Sequence, residues 1–152
     1  MNVVTVEMTE RPSNEALGLI VNGVRSYNYA MRGHEAPRPV AFFLRDQDSR
    51  IVGGVSGDLW GRSVHVSAMW VDERYRGQGY GASLLRELEA YAAARGHVLA
   101  YVETLSYQAA PFYQKQGYRV FGALEGIAED CTYFFLRKDL LPASPISAQT
   151  ER

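Results

Sequence analysis

Hydrophobic positions along the chain change their spacing several times, which predicts a mixture of strands and helices. Between Ser63 and Val71, apolar and polar side chains alternate, as in a half-buried strand. Between Gly79 and Arg95, leucines recur on one side of a helix, and Gly96 ends it. The same reasoning predicts the order βαβββαβαββ, with strands at Val3–Met8, Val40–Leu44, Ile51–Leu59, Ser63–Val71, Val98–Thr104, Tyr118–Leu124 and Cys131–Arg137, and helices at Ser13–Arg32, Gly79–Arg95 and Tyr107–Gln116.

This order indicates a mixed sheet with helices packed on it. Hairpins in the first half give antiparallel neighbours, and the later strand–helix–strand unit gives a parallel pair. The chain has 152 residues, without an internal repeat or a linker between its ends, so we expect a single domain over residues 1–141. The remaining residues, 142–152, read PASPISAQTER and are expected to form a flexible tail.

Composition and charge exclude several classes of protein. The net charge of -1 argues against broad electrostatic binding to nucleic acid. No apolar stretch has the length of a membrane span, and the N-terminal residues lack the pattern of a signal peptide, so we expect a cytoplasmic protein without a membrane partner. The single cysteine, Cys131, excludes an internal disulfide and lies in an apolar run, which favours a packed thiol over a nucleophile.

The segment between the strand ending at Val71 and the following helix carries the strongest chemical signal. Gly77, Gly79 and Gly81 stand at alternate positions just before and inside the helix N-terminus, where absent side chains leave backbone N–H groups accessible. Arg74 and Arg76 add positive charge beside them. This combination predicts a site for a phosphate, and for a diphosphate in particular.

A dinucleotide site is one alternative reading of these glycines. Gly77, Gly79 and Ala82 satisfy G-x-G-x-x-G/A, and Glu103 follows near the position of a ribose-binding acid. However, five residues separate the strand from the first glycine, and only 48 residues follow Thr104, too few for a doubly wound fold. No Gly-Lys-Ser/Thr follows, which excludes a P-loop. A glycine-rich turn without a ligand is the remaining alternative.

Two motifs together resemble the GNAT superfamily of N-acetyltransferases. The family's acyl-CoA loop, Q/R-x-x-G-x-G/A, is matched by Arg76, Gly79 and Gly81. A second stretch, A-x-x-[LF]-Y-x-x-x-G-[FY], is matched by Ala109, Phe112, Tyr113, Gly117 and Tyr118. The resemblance covers about Ile51 to Arg137 and departs from the family at Ser106, where many relatives carry an asparagine that contacts the cofactor.

The resemblance implies an α+β fold with a central, mostly antiparallel mixed sheet of about seven strands, splayed in the middle and flanked by helices. It implies acetyl-CoA as the cosubstrate, no metal, a small-molecule amine as the acceptor and a homodimer through the last strands. The pantetheine arm would lie along the end of the strand predicted at Ser63–Val71, where a backbone N–H could stabilise the thioester oxygen. The implied cofactor-binding residues are Met69, Trp70, Val71, Arg76, Gly77, Gln78, Gly79, Tyr80, Gly81, Ala82 and Ser106.

The resemblance also suggests which side chains move protons. Tyr113 matches the family's tyrosine and is the candidate general acid for the leaving thiolate, although most of the chain's 10 tyrosines are expected to be packing residues. His65 and Glu103 are alternative candidates for the base that deprotonates the amine, directly or through a water. Each could instead be an ordinary strand residue. A non-catalytic acyl-CoA-binding domain is the alternative function.

Overall fold

The computed structural model describes residues 4–33 and 36–140. The expected tail at 142–152 lies outside these residues. Within the described chain, contacts define two compact units whose boundary falls between Ala36 and Pro37. One domain over residues 1–141 therefore stays a prediction.

The first unit contains one long helix, α1, Asn14–Arg32. Ser13 caps its N-terminus, where the hydroxyl oxygen accepts from the N–H of Ala16, and Gly33 ends it with φ of 64°. The prediction of a strand at Val3–Met8 was wrong for residues 4–8, the part of it that the structure describes, because these residues pair with no other strand. A strand exists only where a neighbour completes its hydrogen bonds, and a run of β-favouring residues cannot supply that neighbour.

The second unit is built on a six-stranded sheet in the order β1-β2-β3-β4-β6-β5. Neighbours are antiparallel except β3 and β4, which are parallel. The mostly antiparallel mixed sheet is thus confirmed, with six strands instead of about seven. The strands are β1 Arg38–Arg45, β2 Ile51–Trp60, β3 Ser63–Val71, β4 Leu99–Leu105, β5 Arg119–Ala128 and β6 Cys131–Asp139, and the helices are α2 Tyr80–Ala93 and α3 Ala110–Lys115.

The sheet splays in its middle, as expected. The parallel pairing of β3 with β4 ends at His65 opposite Tyr101, although β3 continues to Val71 and β4 to Leu105. A bulge in β3 lies close to this point, because Gly57 pairs with Val66 and Ser56 with Ala68 on the antiparallel side. The second half of β3 therefore leaves its β4-facing edge unpaired and opens a wedge between the two strands.

Helix α2 packs its leucines on one face of the sheet. Leu85 and Leu88 are fully buried there, in one cluster with Val64 of β3 and Leu136 of β6. Cys131 is buried as well, which agrees with a packed thiol. No helix in the described ranges is both long and apolar enough to cross a membrane. The core thus fixes β3 and α2 relative to each other, and the glycine loop lies between them.

Candidate functional site

The glycine loop presents free backbone amides at the start of α2. Gly77 and Gly79 adopt φ of 72° and 84°, in the left-handed region that glycine enters at little cost. Gly79 is the N-cap of α2, without a side-chain capping bond, and the first helical hydrogen bond runs from Ser83 N to its carbonyl. The N–H groups of residues 80–82 consequently have no partner within the helix, and the helix dipole adds partial positive charge.

The two arginines beside the loop are held differently. Arg74 is engaged by Asp72, with Nε and Nη2 at 3.0 and 3.1 Å from its carboxylate oxygens. Hydrogen bonds from the Arg74 side chain and backbone hold the pKa of Asp72 below its usual value. Arg76 instead donates from Nε to the carbonyl of Val71 at 2.9 Å. Arg76 lines the cavity next to the loop, and Arg74 does not.

A cavity of about 800 Å³, here called the loop cavity, lies against these amides. It runs from the end of β3 across the glycine loop to α3, and it contains most of the residues that the sequence assigned to the cofactor. Its walls are Met69, Trp70, Val71, Tyr75, Arg76, Gly77, Gly79, Tyr80, Gly81, Ala82, Gln108, Ala109, Phe112 and Gln116.

Two of the predicted cofactor residues do not line the loop cavity. Gln78 turns its amide back to the carbonyl of Arg74 at 3.4 Å. The hydroxyl of Ser106 accepts from the N–H of Thr132 at 3.2 Å, and the Ser106 N–H donates to the Thr132 carbonyl at 2.8 Å. Ser106 thereby extends the contact between β4 and β6, which turns its side chain toward β6.

A second cavity, of about 330 Å³, fills the wedge between β3 and β4 and is here called the wedge cavity. It shares Met69, Gln108 and Ala109 with the loop cavity, so the two cavities adjoin. The other residues along its walls are Val66, Ser67, Ala68, Val102, Glu103, Thr104 and Tyr113.

Tyr113 reaches the wedge cavity from α3. The residue is only 5% exposed, and its ring packs edge-on against Phe112 and Tyr118. Its hydroxyl has no hydrogen-bond partner among the residues that the structure describes. Burial raises the pKa of Tyr113 to about 12, because the charged phenolate is poorly solvated there. The phenol therefore stays protonated at neutral pH and can donate a hydrogen bond into the cavity.

The two candidate bases form one hydrogen-bonded pair. Nε2 of His65 lies 2.6 Å from Oε2 of Glu103, and the side chains are 30% and 24% exposed. Since a carboxylate can only accept, Nε2 carries the proton that is shared between them. Glu103 lines the wedge cavity and His65 does not. The His65 ring stacks on Tyr101 with ring centroids 4.7 Å apart, which fixes its orientation.

Several cavity residues were missed by the sequence argument. Gln108, Phe112, Tyr75 and Gln116 line the cavities without having been assigned to the site. Gln108 stands directly before Ala109, the first residue of the second motif, so its position was a usable signal. Within the described ranges, no group of His, Cys, Asp and Glu side chains could hold a metal ion.

Comparisons with known proteins point to one family and one fold. The sequence profile described as the acetyltransferase (GNAT) family matches residues 11–118. A blasticidin-S acetyltransferase of Streptomyces morookaense is 35% identical over 101 residues, 66% of this chain and 74% of that protein. The crystal structure of an acetyltransferase from Bacillus cereus superposes with a TM-score of 0.77 at 30% identity, over 88% of this chain and 97% of the other. An aminoglycoside 6'-N-acetyltransferase crystallised with coenzyme A gives a TM-score of 0.64 at 19% identity, over 82% and 83% of the two chains.

Proposed function

Since this chain belongs to the acetyltransferase (GNAT) family, we propose that it transfers an acetyl group from acetyl-CoA to the primary amine of a small molecule. The observation that carries the proposal is the junction of the loop cavity with the wedge cavity at Met69, Gln108 and Ala109. One cavity offers amides and an arginine suited to phosphates, and the other offers Glu103 and Tyr113 suited to proton transfer. A donor bound in the first cavity can thus reach an acceptor in the second.

The loop cavity suits the diphosphate of CoA. The free N–H groups of residues 80–82 and the side chain of Arg76 would bind its oxygens, as helix N-termini bind phosphates in general. Gly77 and Gly79 leave open space where a side chain would stand, since a Cβ placed on either would meet nothing within 4 Å. The coenzyme A in the aminoglycoside acetyltransferase of the same fold supports this ligand class.

The open edge of β3 suits the pantetheine arm. Beyond His65 the strand has no pairing partner on its β4 side, so its backbone groups can bind an extended chain as a neighbouring strand would. Met69 and Trp70 lie on this edge and line the loop cavity. A backbone N–H at either position would stabilise the negative charge that develops on the carbonyl oxygen during attack.

Proton transfer would divide between the two sides of the wedge cavity. The thioester supplies an activated acyl carbon, to which the amine nitrogen forms a bond while the bond from carbon to sulfur breaks. Glu103 takes the proton released by the amine, and His65 holds the carboxylate in place through the 2.6 Å bond. Tyr113 donates a hydrogen bond to the departing sulfur, which leaves as a thiolate and takes its proton from Tyr113 or from solvent.

The polar side chains that line the wedge cavity favour a small polar acceptor. Ser67, Glu103 and Thr104 give it hydroxyl and carboxylate groups that suit an ammonium group and its neighbouring hydroxyls. The similarity to a blasticidin-S acetyltransferase supports an amine-bearing natural product of this kind. A carboxylate at the reacting centre also attracts an acceptor that arrives as a cation.

The test is a spectrophotometric assay of thiol release from acetyl-CoA against a panel of amines. The panel should contain nucleoside and aminoglycoside antibiotics, polyamines, amino acids and peptides with free N-termini. We expect amine-dependent thiol release with at least one small molecule, and an acetylated product by mass spectrometry. Acetyl-CoA binding without thiol release across the panel would instead favour a non-catalytic acyl-CoA-binding domain.

A further inference from the structure

We infer that Gln108 is a cofactor-positioning residue, whose side-chain amide donates a hydrogen bond to a carbonyl oxygen of the pantetheine arm. The inference rests on the proposed use of acetyl-CoA and adds a contact that neither motif assigns. Gln108 precedes α3, is exposed, and is one of the three residues that the loop cavity and the wedge cavity share. Its side chain therefore stands where an acyl donor must pass from one cavity to the other.

The orientation of the Gln108 amide follows from its partners. Its Oε1 accepts from the N–H of Leu105 at 3.1 Å and lies 3.4 Å from Oγ1 of Thr104. Because the Leu105 N–H can only donate, the oxygen of Gln108 must face it, and the NH₂ group must point the other way. That NH₂ group has no partner among the residues that the structure describes. It is therefore free to donate to an acceptor that the described residues do not supply.

The neighbouring position cannot supply this contact. Ser106 lines neither cavity, and its hydroxyl, which accepts from the N–H of Thr132, is turned toward β6. Met69, across the junction on β3, offers a thioether side chain without a hydrogen-bond donor. Among the side chains at the junction, only Gln108 carries a donor, since Ala109 is apolar.

The chemistry of the donor defines the group that it binds. An amide N–H donates to oxygen acceptors, and the arm next to the thioester offers amide carbonyls as such acceptors. Tyr113 lines only the wedge cavity, so the sulfur beside it would lie on that side of the junction. The amide nearest to the sulfur would then lie at the junction itself, against Gln108.

Gln108→Glu and Gln108→Ala separate this role from a merely structural one. Glutamate keeps an oxygen for the Leu105 N–H but has no N–H to donate, whereas alanine removes both bonds. Isothermal titration with CoA and with acetyl-CoA should show both variants binding about fivefold to tenfold more weakly than wild type, the loss of one hydrogen bond. In steady-state assays the KM for acetyl-CoA should rise with little change in kcat, as expected when ground-state and transition-state binding are lost equally.

Gln114→Glu is the matched control, because Gln114 is an exposed glutamine on α3 that lines neither cavity. It introduces the same charge close by and should bind CoA like the wild type. If Gln108→Glu keeps wild-type affinity and only Gln108→Ala loses it, the side chain merely supports the turn and the inference is overturned. Weakening of acetyl-CoA alone would also contradict it, since the amide is present in CoA as well. Failure of wild type to bind either ligand would instead overturn the proposed function.

Discussion

The Tyr113 hydroxyl combines burial with access to the wedge cavity. A phenol with a pKa of about 12 is a weaker acid than an ordinary thiol, whose pKa is about 8.5. Complete proton transfer to the departing sulfur would therefore be uphill in the unliganded site. A hydrogen bond that strengthens as charge develops on the sulfur agrees better with this value.

Replacing Tyr113 with phenylalanine tests this role. The ring contacts with Phe112 and Tyr118 should survive, and only the hydroxyl is lost. We expect kcat to fall on the order of 10²-fold, with the affinity for acetyl-CoA nearly unchanged. Tyr118→Phe removes a buried hydroxyl that lines neither cavity and is the matched control. An unchanged kcat in Tyr113→Phe would contradict the assignment.

Substitutions in the hydrogen-bonded pair of Glu103 and His65 test which residue is the base. Glu103→Gln removes the proton acceptor while it can still bond to His65, so kcat/KM at neutral pH should fall by about 10²-fold. His65→Asn should cost less, because the Glu103 carboxylate stays in the wedge cavity and loses only the ring that holds it in place. The pH–rate profiles of kcat/KM for the two variants measure both effects.

Tyr101→Phe serves as the control for that series, since it keeps the ring that stacks on His65. Burial and the charges of Glu103 and Asp58 raise the pKa of Tyr101, so its hydroxyl stays neutral over the range of the assay. If both single variants retain the acidic limb of the wild type, neither residue is the base.

Among the elements, β2 packs closely against β3 and α2 next to the wedge, and Gly57 makes this close packing possible. A Cβ on Gly57 would lie 2.7 Å from the backbone oxygen of His65 and 3.2 Å from side-chain atoms of Leu88 and Val64. The glycine therefore allows β2, β3 and α2 to approach one another at the bulge. Immediately beyond His65, β3 loses its pairing with β4 on the other side.

Gly57→Ala should consequently destabilise the fold by about 1–3 kcal/mol, because the clash involves backbone that cannot move aside cheaply. Gly122→Ala, on β5, is the matched control, since a Cβ there would make only ordinary contacts, the closest at 3.5 Å from Phe135. Chemical denaturation should show a lower midpoint for Gly57→Ala with an unchanged slope. Equal midpoints in the two variants would argue against a tight approach at Gly57.

Elements were predicted best where local chemistry marks their ends. Gly96 follows α2 with positive φ, as the sequence predicts, and Gly33 ends α1 with positive φ as well. The predicted helix Tyr107–Gln116 is shorter in the structure, because residues 107–109 form a turn and Pro111 occupies the first helical turn. The helix itself was predicted correctly, but its first residue was not, because the sequence pattern does not show where the preceding turn ends.

For the whole molecule, buried tyrosines make stability sensitive to alkaline pH. Burial raises the pKa of Tyr113 from 10.0 to about 12, and that of Tyr118 is raised as well, with the Glu89 charge adding to burial. The folded state therefore holds these protons more tightly than the unfolded state. Their contribution is fully present below pH 10 and is lost as the pH rises through the folded values.

We accordingly expect the free energy of unfolding to decline above about pH 10, by about 2 kcal/mol for Tyr113 alone once pH 12 is reached. Denaturant titrations at pH 8, 10 and 11 measure this decline. In Tyr113→Phe the decline should be shallower, because a titrating group is absent. The same slope in wild type and variant would show that Tyr113 titrates normally in the folded state.

The sequence by itself determined the features that are local along the chain. The spacing of apolar residues identified six of the strands and the three helices, and the two motifs identified the glycine loop and Tyr113. These features depend on φ preferences, helix ends and side-chain periodicity, which act over a few neighbouring residues.

Only the tertiary structure decided which distant groups meet. His65 and Glu103, 38 residues apart, appeared as alternative bases in the sequence, and the parallel contact of β3 with β4 makes them one pair. Ser106 faces β6 and Gln108 faces the cavities because the strand pairing of β4 fixes the direction of each side chain at its end. Strand pairing joins residues through hydrogen bonds that span the chain, and no periodicity within one segment encodes which partner it will find.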